Sequence, residues 1–210
     1  MGPAKLNVMA FIKKLGQRVF TTHELAAISG KSASTVVQSL NYLTEQNLLI
    51  KVYRGVWAES GPRPLSPFEF IPYLFPRQRV YVSFITALHL YGIIEQIPQV
   101  ITLASTAHTR TIRTRAGDFS VHQIAPAFFD GFEWYRGEGS FLIAQPEKAL
   151  IDSLYLSGRK KKQFGHFPEL YLPPEFSFKK AHQWIERIPD KKIRQYLDEG
   201  FKSLIKKQNH

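Results

Sequence analysis

The chain of 210 residues contains no cysteine. That absence excludes disulfide bonds, thiolate zinc sites and cysteine nucleophiles. A membrane-spanning run is also lacking, because the most apolar window, residues 80–94, is interrupted by Ser83, Thr86 and His89 and is too short to cross a bilayer. The N-terminus shows no basic region followed by an apolar signal core. We therefore expect a cytoplasmic protein without a membrane partner.

Acidic side chains are scarce relative to basic ones. The chain has 28 Lys and Arg against 17 Asp and Glu, which gives a net charge of +11 and a pI near 9.8. The excess lies at the two ends, since residues 1–63 carry +5, residues 64–157 carry −1 and residues 158–210 carry +7. A localised basic excess favours polyanionic partners, nucleic acid above all.

Motifs of the common enzyme classes are missing as well. The sequence has no phosphate-cradling glycine loop, no His-x-x-x-His pair and no nucleotidyltransferase pattern, so we predict no metal and no cofactor. In one catalytic alternative, the two helices that carry His89, Glu147 and Asp152 pack together. Their side chains then form a carboxylate–histidine pair that acts as a general base. The favoured interpretation is structural: the helix dipole stabilises Glu147, and Asp152 either acts as a cap or pairs with Lys148 one turn earlier. We predict a protein without catalysis.

Residues 20–58 carry the most informative pattern, FTTHELAAISGKSASTVVQSLNYLTEQNLLIKVYRGVWA. A capping box of Thr21 and Glu24 predicts the start of a short helix. Gly30 suits the left-handed backbone that would end it. With an amphipathic helix from Lys5 to Leu15, this predicts the first two helices of a helix-turn-helix module.

The next helix is expected over residues 32–46, capped by Ser32. Val36, Leu40 and Leu43 recur at steps of three and four, so one side should pack inward. The opposite side carries small or uncharged polar groups that can contact base edges and phosphates. These are Ser34, Thr35, Gln38, Ser39 and Tyr42.

A wing is predicted directly after this helix. Residues 48–53 and 56–58 are β-prone and flank a tight turn at Arg54-Gly55, with Lys51 nearby. The predicted DNA-binding residues are Lys31, Ser32, Ser34, Thr35, Gln38, Ser39, Tyr42, Lys51 and Arg54. Two alternatives remain: a small helical domain whose polar face is merely solvated, and a winged helix that docks protein.

Domain organisation follows from residues 59–67, which hold three prolines and a glycine. We predict a DNA-binding domain over residues 1–59, a linker over 60–67 and a second domain over 68–210. The elements expected in the second domain are a helix at 84–91, strands at 100–104, 109–113, 119–124, 133–136 and 141–144, and helices at 146–156, 177–188 and 190–207. The predicted class is α+β: a winged helix-turn-helix, then a mixed domain with a helical C-terminal part.

Two further segments match a known pattern. Residues 82–93 read VSFITALHLYGI and are followed by Pro98 and Ile101–Leu103, and residues 144–152 read AQPEKALID. With the winged helix before them, they resemble the AbiEi antitoxins of type IV toxin–antitoxin and phage-abortive-infection operons, over the chain from about Phe20 to Asp152. The resemblance implies an N-terminal domain that binds inverted repeats in its own promoter and represses transcription. It also implies a C-terminal domain that counteracts a nucleotidyltransferase-like toxin, usually without a stable complex.

Basic residues outside the winged helix form a second candidate surface. Its members are Arg110, Arg113, Arg115, Lys160 and Lys161. Strand alternation would place Arg113 and Arg115 on one side and Arg110 on the other unless the backbone turns. These charges are either simply solvated or a surface for the toxin, phosphate or RNA, with tRNA contact a further expectation. The role of the tail after Gly158 stays open.

Two other functional classes remain as alternatives. One is a ligand-responsive winged-helix regulator whose aromatic second domain holds a small effector. The other is a nucleic-acid-processing enzyme with a winged-helix targeting domain. The identity of the neighbouring gene discriminates among all three, because a toxin gene favours the antitoxin and a metabolic gene favours the effector-binding regulator.

Overall fold

The computed structural model describes residues 8–137, 140–158 and 168–208. These residues form two units. The first comprises residues 8–76 and Thr114–Gly117, and the second comprises Arg77–Arg113 and the described residues from Asp118 onward. Among the described residues, none of the helices combines the length and apolar character that crossing a bilayer demands.

The first unit is a winged helix. Its elements are α1 (Val8–Leu15), β1 (Val19–Thr21), α2 (Thr22–Ser29), α3 (Ala33–Glu45), β2 (Leu49–Tyr53), β3 (Val56–Glu59), a 3₁₀ turn (Pro67–Phe70) and α4 (Ile71–Leu74). The three strands form an antiparallel sheet in the order β1-β3-β2. The helix-turn-helix and wing expected from the sequence are present, and β1 is an additional strand.

Local chemistry sets the ends of α2 and α3. The Glu24 N–H donates to the Thr21 hydroxyl at 3.1 Å, and the Thr21 N–H donates to the Glu24 carboxylate at 2.7 Å, which completes the capping box. Gly30 ends α2 with φ of +64°, a conformation that favours glycine. Ser32 caps α3 by accepting from the Thr35 N–H at 3.2 Å. The predicted start and end signals are confirmed.

One face of the small sheet packs against the helices. Phe20 and Trp57 lie opposite each other on β1 and β3, and both are buried. The Trp57 indole N–H donates to the Thr22 hydroxyl at 2.9 Å, so its polar atom is satisfied inside the core. The buried cluster is Val8, Ile12, Phe20, Leu25, Val36, Leu40, Leu49 and Trp57. This packing leaves the polar side of α3 outward.

The other face of the sheet is buried at β1 and β3 and exposed at Ile50 on β2. Val19 and Ala58 are paired there, and α4 packs against β1. Residues 68–76 therefore belong by their contacts to the first unit, whereas the sequence placed them at the start of the second domain. Packing between segments distant in sequence produces this grouping, and the division at residues 60–67 stays a prediction.

The second unit is a mixed sheet with helices. Its elements are β4 (Val80–Val82), α5 (Phe84–Leu90), β5 (Val100–Ser105), β6 (Arg110–Thr114), β7 (Gly117–Gln123), a 3₁₀ turn (Pro126–Phe128), β8 (Phe132–Trp134), β9 (Leu142–Ala144), α6 (Pro146–Gly158), α7 (Phe178–Glu186) and α8 (Lys191–Gln208). The strand order is β6-β7-β5-β4-β9-β8. β4 pairs antiparallel with β5 and parallel with β9, and α6 packs against α5, α7 and α8. The predicted α+β class is confirmed.

Ser83 precedes α5, and its hydroxyl makes a tertiary contact. The sequence predicts that it caps α5, and it does occupy the N-cap position. Its side chain makes no capping hydrogen bond and instead donates to the Asp152 carboxylate at 2.7 Å. A buried carboxylate on a distant helix is a stronger acceptor than the local backbone offers, so the tertiary contact determines the orientation of this hydroxyl.

Candidate nucleic-acid interface

Helix α3 presents a polar ridge on the surface. Ser34, Thr35 and Gln38 are exposed, and Tyr42 has 61% of its surface accessible. On the opposite side Val36 and Leu40 are buried in the core. The helix therefore offers an outward row of hydrogen-bonding groups. The major groove of DNA, which is about 12 Å wide, admits an α-helix of this kind.

The hydroxyls at the start of α3 are linked to each other. The Ser32 Oγ lies 2.9 Å from the Ser34 Oγ and 2.9 Å from the Thr35 Oγ1, besides capping the helix. Ser39 is half-buried, and its hydroxyl donates to the Thr35 carbonyl at 3.3 Å. Ser32 and Ser39 thus serve the helix itself, whereas Gln38 is an exposed amide that can donate and accept at once.

The wing is a hairpin held against α2. Arg54 is exposed at the turn between β2 and β3, and Gly55 adopts φ of +72°. The Thr22 N–H donates to the Gly55 carbonyl at 2.9 Å, which ties the turn to the start of α2. The Lys51 Nζ lies 5.1 Å from the centre of the Trp57 ring. The wing therefore carries two cations on an anchored hairpin.

The turn between α2 and α3 adds a third cation. Lys31 is exposed in that turn, next to the first turn of α3. A helix N-terminus carries partial positive charge from its unpaired N–H groups, so Lys31 and the helix end favour the same anionic partner. All nine predicted DNA-binding residues lie in the first unit, on α3, on the turn before it or on the wing. Their contacts with DNA stay a prediction.

The second candidate surface is less coherent. The Arg110 guanidinium donates to the Gln78 side chain at 2.7 Å, and Arg113 lies 4.0 Å from the Asp118 carboxylate. β6 ends at Thr114, so strand alternation does not extend to Arg115. Arg115 lies in the turn assigned to the first unit, where its backbone N–H donates to the Val52 carbonyl at 3.2 Å. Lys160 and Lys161 lie outside the described residues.

A buried polar cluster lies inside the second unit. Lys148 and Asp152 form an ion pair one helical turn apart, and both side chains are fully inaccessible. The Tyr81 hydroxyl donates to Asp152 at 3.0 Å, as Ser83 does from the same strand end. The Lys148 Nζ also lies 3.9 Å from the centre of the Phe128 ring. Of the two structural roles expected for Asp152, the structure shows the pair with Lys148, whereas the sequence does not indicate the contacts with Tyr81 and Ser83.

Burial governs the proton affinities in this cluster. Burial lowers the pKa of the Lys148 ammonium and raises the pKa of the Asp152 carboxyl, because each charged form loses water. Their mutual attraction acts against both shifts. Burial and then the charge of Asp152 raise the pKa of Tyr81 well above its usual value. The cluster connects α6 to the central sheet through buried polar contacts.

The two carboxylates of the catalytic alternative, Glu147 and Asp152, make structural contacts. Asp152 is bound by Lys148, Tyr81 and Ser83, as described above. Glu147 is buried, and its carboxylate accepts the Ser177 N–H at 2.9 Å, just before α7. The contacts of both groups connect secondary-structure elements to each other.

Comparison with known protein families gives a match for the N-terminal part of the chain. Residues 9–60 match a family described as "Transcriptional regulator, AbiEi antitoxin". The matched segment covers the helix-turn-helix and the wing. A comparison of the chain with curated proteins yields no match.

Proposed function

We propose, from the match of residues 9–60 to the family of AbiEi antitoxin transcriptional regulators, that this chain represses its own operon as the antitoxin of a type IV toxin–antitoxin system. Regulation through the N-terminal unit agrees with the family description. The operon, the toxin and the residues that contact DNA are the parts that we add.

The observation that supports the proposal most is the outward polar ridge of α3 beside a cationic wing. In this arrangement α3 enters the major groove, where Gln38 reads a base edge and Ser34 and Thr35 contact bases or phosphates. Lys51 and Arg54 contact the sugar-phosphate backbone from the wing, and Lys31 does so from the turn. Two copies of the chain occupy the halves of an inverted repeat in the promoter.

The antitoxin activity is assigned to the second unit. We propose that it counteracts a nucleotidyltransferase-like toxin encoded beside it, without forming a stable complex. The basic residues Arg110 and Arg113 lie exposed on β6 and are candidates for this surface. Because repression and neutralisation rest on different units, substitutions in the wing should separate the two activities.

A co-expression experiment tests this separation. The full chain, or the full chain with Lys51→Gln and Arg54→Gln, is expressed with the neighbouring gene product and with a reporter under the native promoter. The wild-type chain should silence the reporter and restore growth. The wing variant should lose most repression and still restore growth, since the substituted residues are exposed and lie in the first unit.

Two results would count against the proposal. Equal repression by the wild-type chain and the wing variant would remove the wing from the mechanism. Failure of the wild-type chain to rescue growth would exclude the neighbouring product as the toxin that it counteracts. Equal steady-state levels of the two proteins, measured by immunoblot, serve as the control.

A further inference from the structure

An open cavity of about 560 Å³ lies along α7 in the second unit. Its volume falls within the range of about 300–1,000 Å³ that is usual for small-molecule sites. The residues that line it are Gln145, Lys180, Gln183, Trp184, Glu186 and Arg187. We propose that this cavity binds a nucleoside phosphate.

Helix α7 has one face that lines the cavity and another that is buried. Lys180 lies three and four residues before Gln183 and Trp184, and Arg187 lies four and three residues after them, so the four side chains share one face of the helix. The adjoining face carries the buried residues Ala181 and Ile185, and α7 packs on α6. One outward stripe thus presents a cation, an amide, an indole and a second cation in sequence.

Trp184 is held in place by close neighbours. A Cβ atom at Gly131 would lie 2.4 Å from the Trp184 Cζ2, so only glycine permits this approach. The Phe128 ring meets the indole edge to face, with centres 6.1 Å apart. The Lys148 Nζ of the buried cluster lies 5.4 Å from the indole centre. The indole is therefore a fixed aromatic surface rather than a mobile side chain.

Arg187 is oriented by two contacts. Its guanidinium lies 4.4 Å from the centre of the Trp184 ring, and its Nη2 lies 3.1 Å from the Asp130 carboxylate. Hydrogen bonding to Arg187 helps lower the pKa of Asp130, after the contribution of the Gly131 N–H. A guanidinium has five N–H donors in a plane, so donors remain beyond this bond for a bidentate contact with phosphate. Lys180 adds a second charge on the same face.

The indole, the amides and the two cations of the cavity together favour a nucleotide over a simple anion, which a patch of cations alone would not. Bases stack on indole and guanidinium planes, and amide side chains such as Gln145 and Gln183 can both donate to and accept from base edges. Two cations then hold the phosphate, and the Glu186 carboxylate can accept from ribose hydroxyls. This inference does not rest on the proposed function, because the cavity lies in the second unit and the DNA-binding residues lie in the first.

Calorimetric titration of the full chain tests the proposal. The probes are ATP and GTP, with adenosine, inorganic triphosphate and a four-nucleotide single-stranded RNA as separate arms. ATP or GTP should bind at least about tenfold more tightly than adenosine or inorganic triphosphate, because base and phosphate contacts both contribute. If the RNA binds more tightly than either mononucleotide, the natural source of the nucleotide is an RNA strand.

Two neighbouring lysines provide a matched pair of variants. Lys180→Ala should weaken nucleotide binding about tenfold, the loss expected for one charge-assisted hydrogen bond. Lys179→Ala removes the same charge from an exposed residue that does not line the cavity, and it should leave binding unchanged. Quenching of indole fluorescence by nucleotide should disappear in Trp184→Leu and persist in Trp134→Phe, whose indole is exposed outside the cavity.

Several results would overturn the assignment. Absence of binding by ATP, GTP and RNA at millimolar concentration would exclude the site. Equal affinity for inorganic triphosphate would reduce it to an anion patch. Equal losses in the two lysine variants, including for RNA, would show diffuse electrostatic attraction. A separate experiment with variants of the wing tests binding to promoter DNA. A negative result for the cavity therefore leaves the proposed function standing.

Discussion

Replacement of Lys148 alone by methionine should destabilise the folded chain by about 3–5 kcal/mol, because it leaves the Asp152 carboxylate buried without its counter-ion. Asp152→Asn alone should cost a similar amount for the converse reason. Native domains are stable by only about 5–15 kcal/mol, so either loss is a large fraction of the total. Urea unfolding followed by circular dichroism measures the change.

The double variant separates burial of an unpaired charge from loss of the ion pair itself. Lys148→Met with Asp152→Asn leaves no buried charge, so its cost should be well below the sum of the two single costs. A matched control is Lys202→Met, which breaks a pair between an exposed lysine and the half-buried Asp198 at the same four-residue spacing. That change should cost less than about 1 kcal/mol. Additive single costs at Lys148 and Asp152 would contradict the ion-pair account.

Neutralising the wing should have the largest effect on DNA binding. Lys51→Gln with Arg54→Gln removes two backbone contacts, so the slope of log affinity against log salt should become shallower by about two. Affinity should fall about tenfold or more per contact at low salt, for every duplex sequence alike. Glutamine keeps an aliphatic stem over Trp57, which limits any effect on folding.

Two exposed lysines on α1 provide the control for this change. Lys13→Gln with Lys14→Gln removes the same net charge from the same unit, outside the wing and α3. The slope should then stay close to the wild-type value. If both pairs of substitutions change the slope equally, attraction is a property of the net charge of the unit rather than of the wing.

The winged helix could be predicted because its signals are local. The capping box at Thr21 and Glu24, the left-handed Gly30 and the turn at Arg54 each act within a few residues, so the sequence alone reveals them. β1 could not be predicted in this way. It has three residues, and its conformation depends on pairing with β3, which lies far along the chain.

The buried cluster shows the same limit in the second unit. The four-residue spacing of Lys148 and Asp152 predicts that they pair, since side chains one turn apart meet on a helix. Their complete burial was not predictable, because charged side chains are usually exposed. Tyr81 lies in β4, which has only three residues, and Ser83 follows that strand, so the sequence does not reveal their contacts with Asp152. The close approach of Gly131 to Trp184 is likewise visible only in the folded chain.

The central claim is that the polar ridge of α3 reads duplex DNA. Fluorescence anisotropy with the inverted-repeat duplex from the native promoter, and with a shuffled duplex of equal length, tests it directly at several salt concentrations. The wild-type chain should prefer the promoter duplex. Gln38→Ala should reduce that preference by about 1–3 kcal/mol per base contact and leave affinity for the shuffled duplex unchanged. Equal affinity of the wild-type chain for both duplexes would contradict the account.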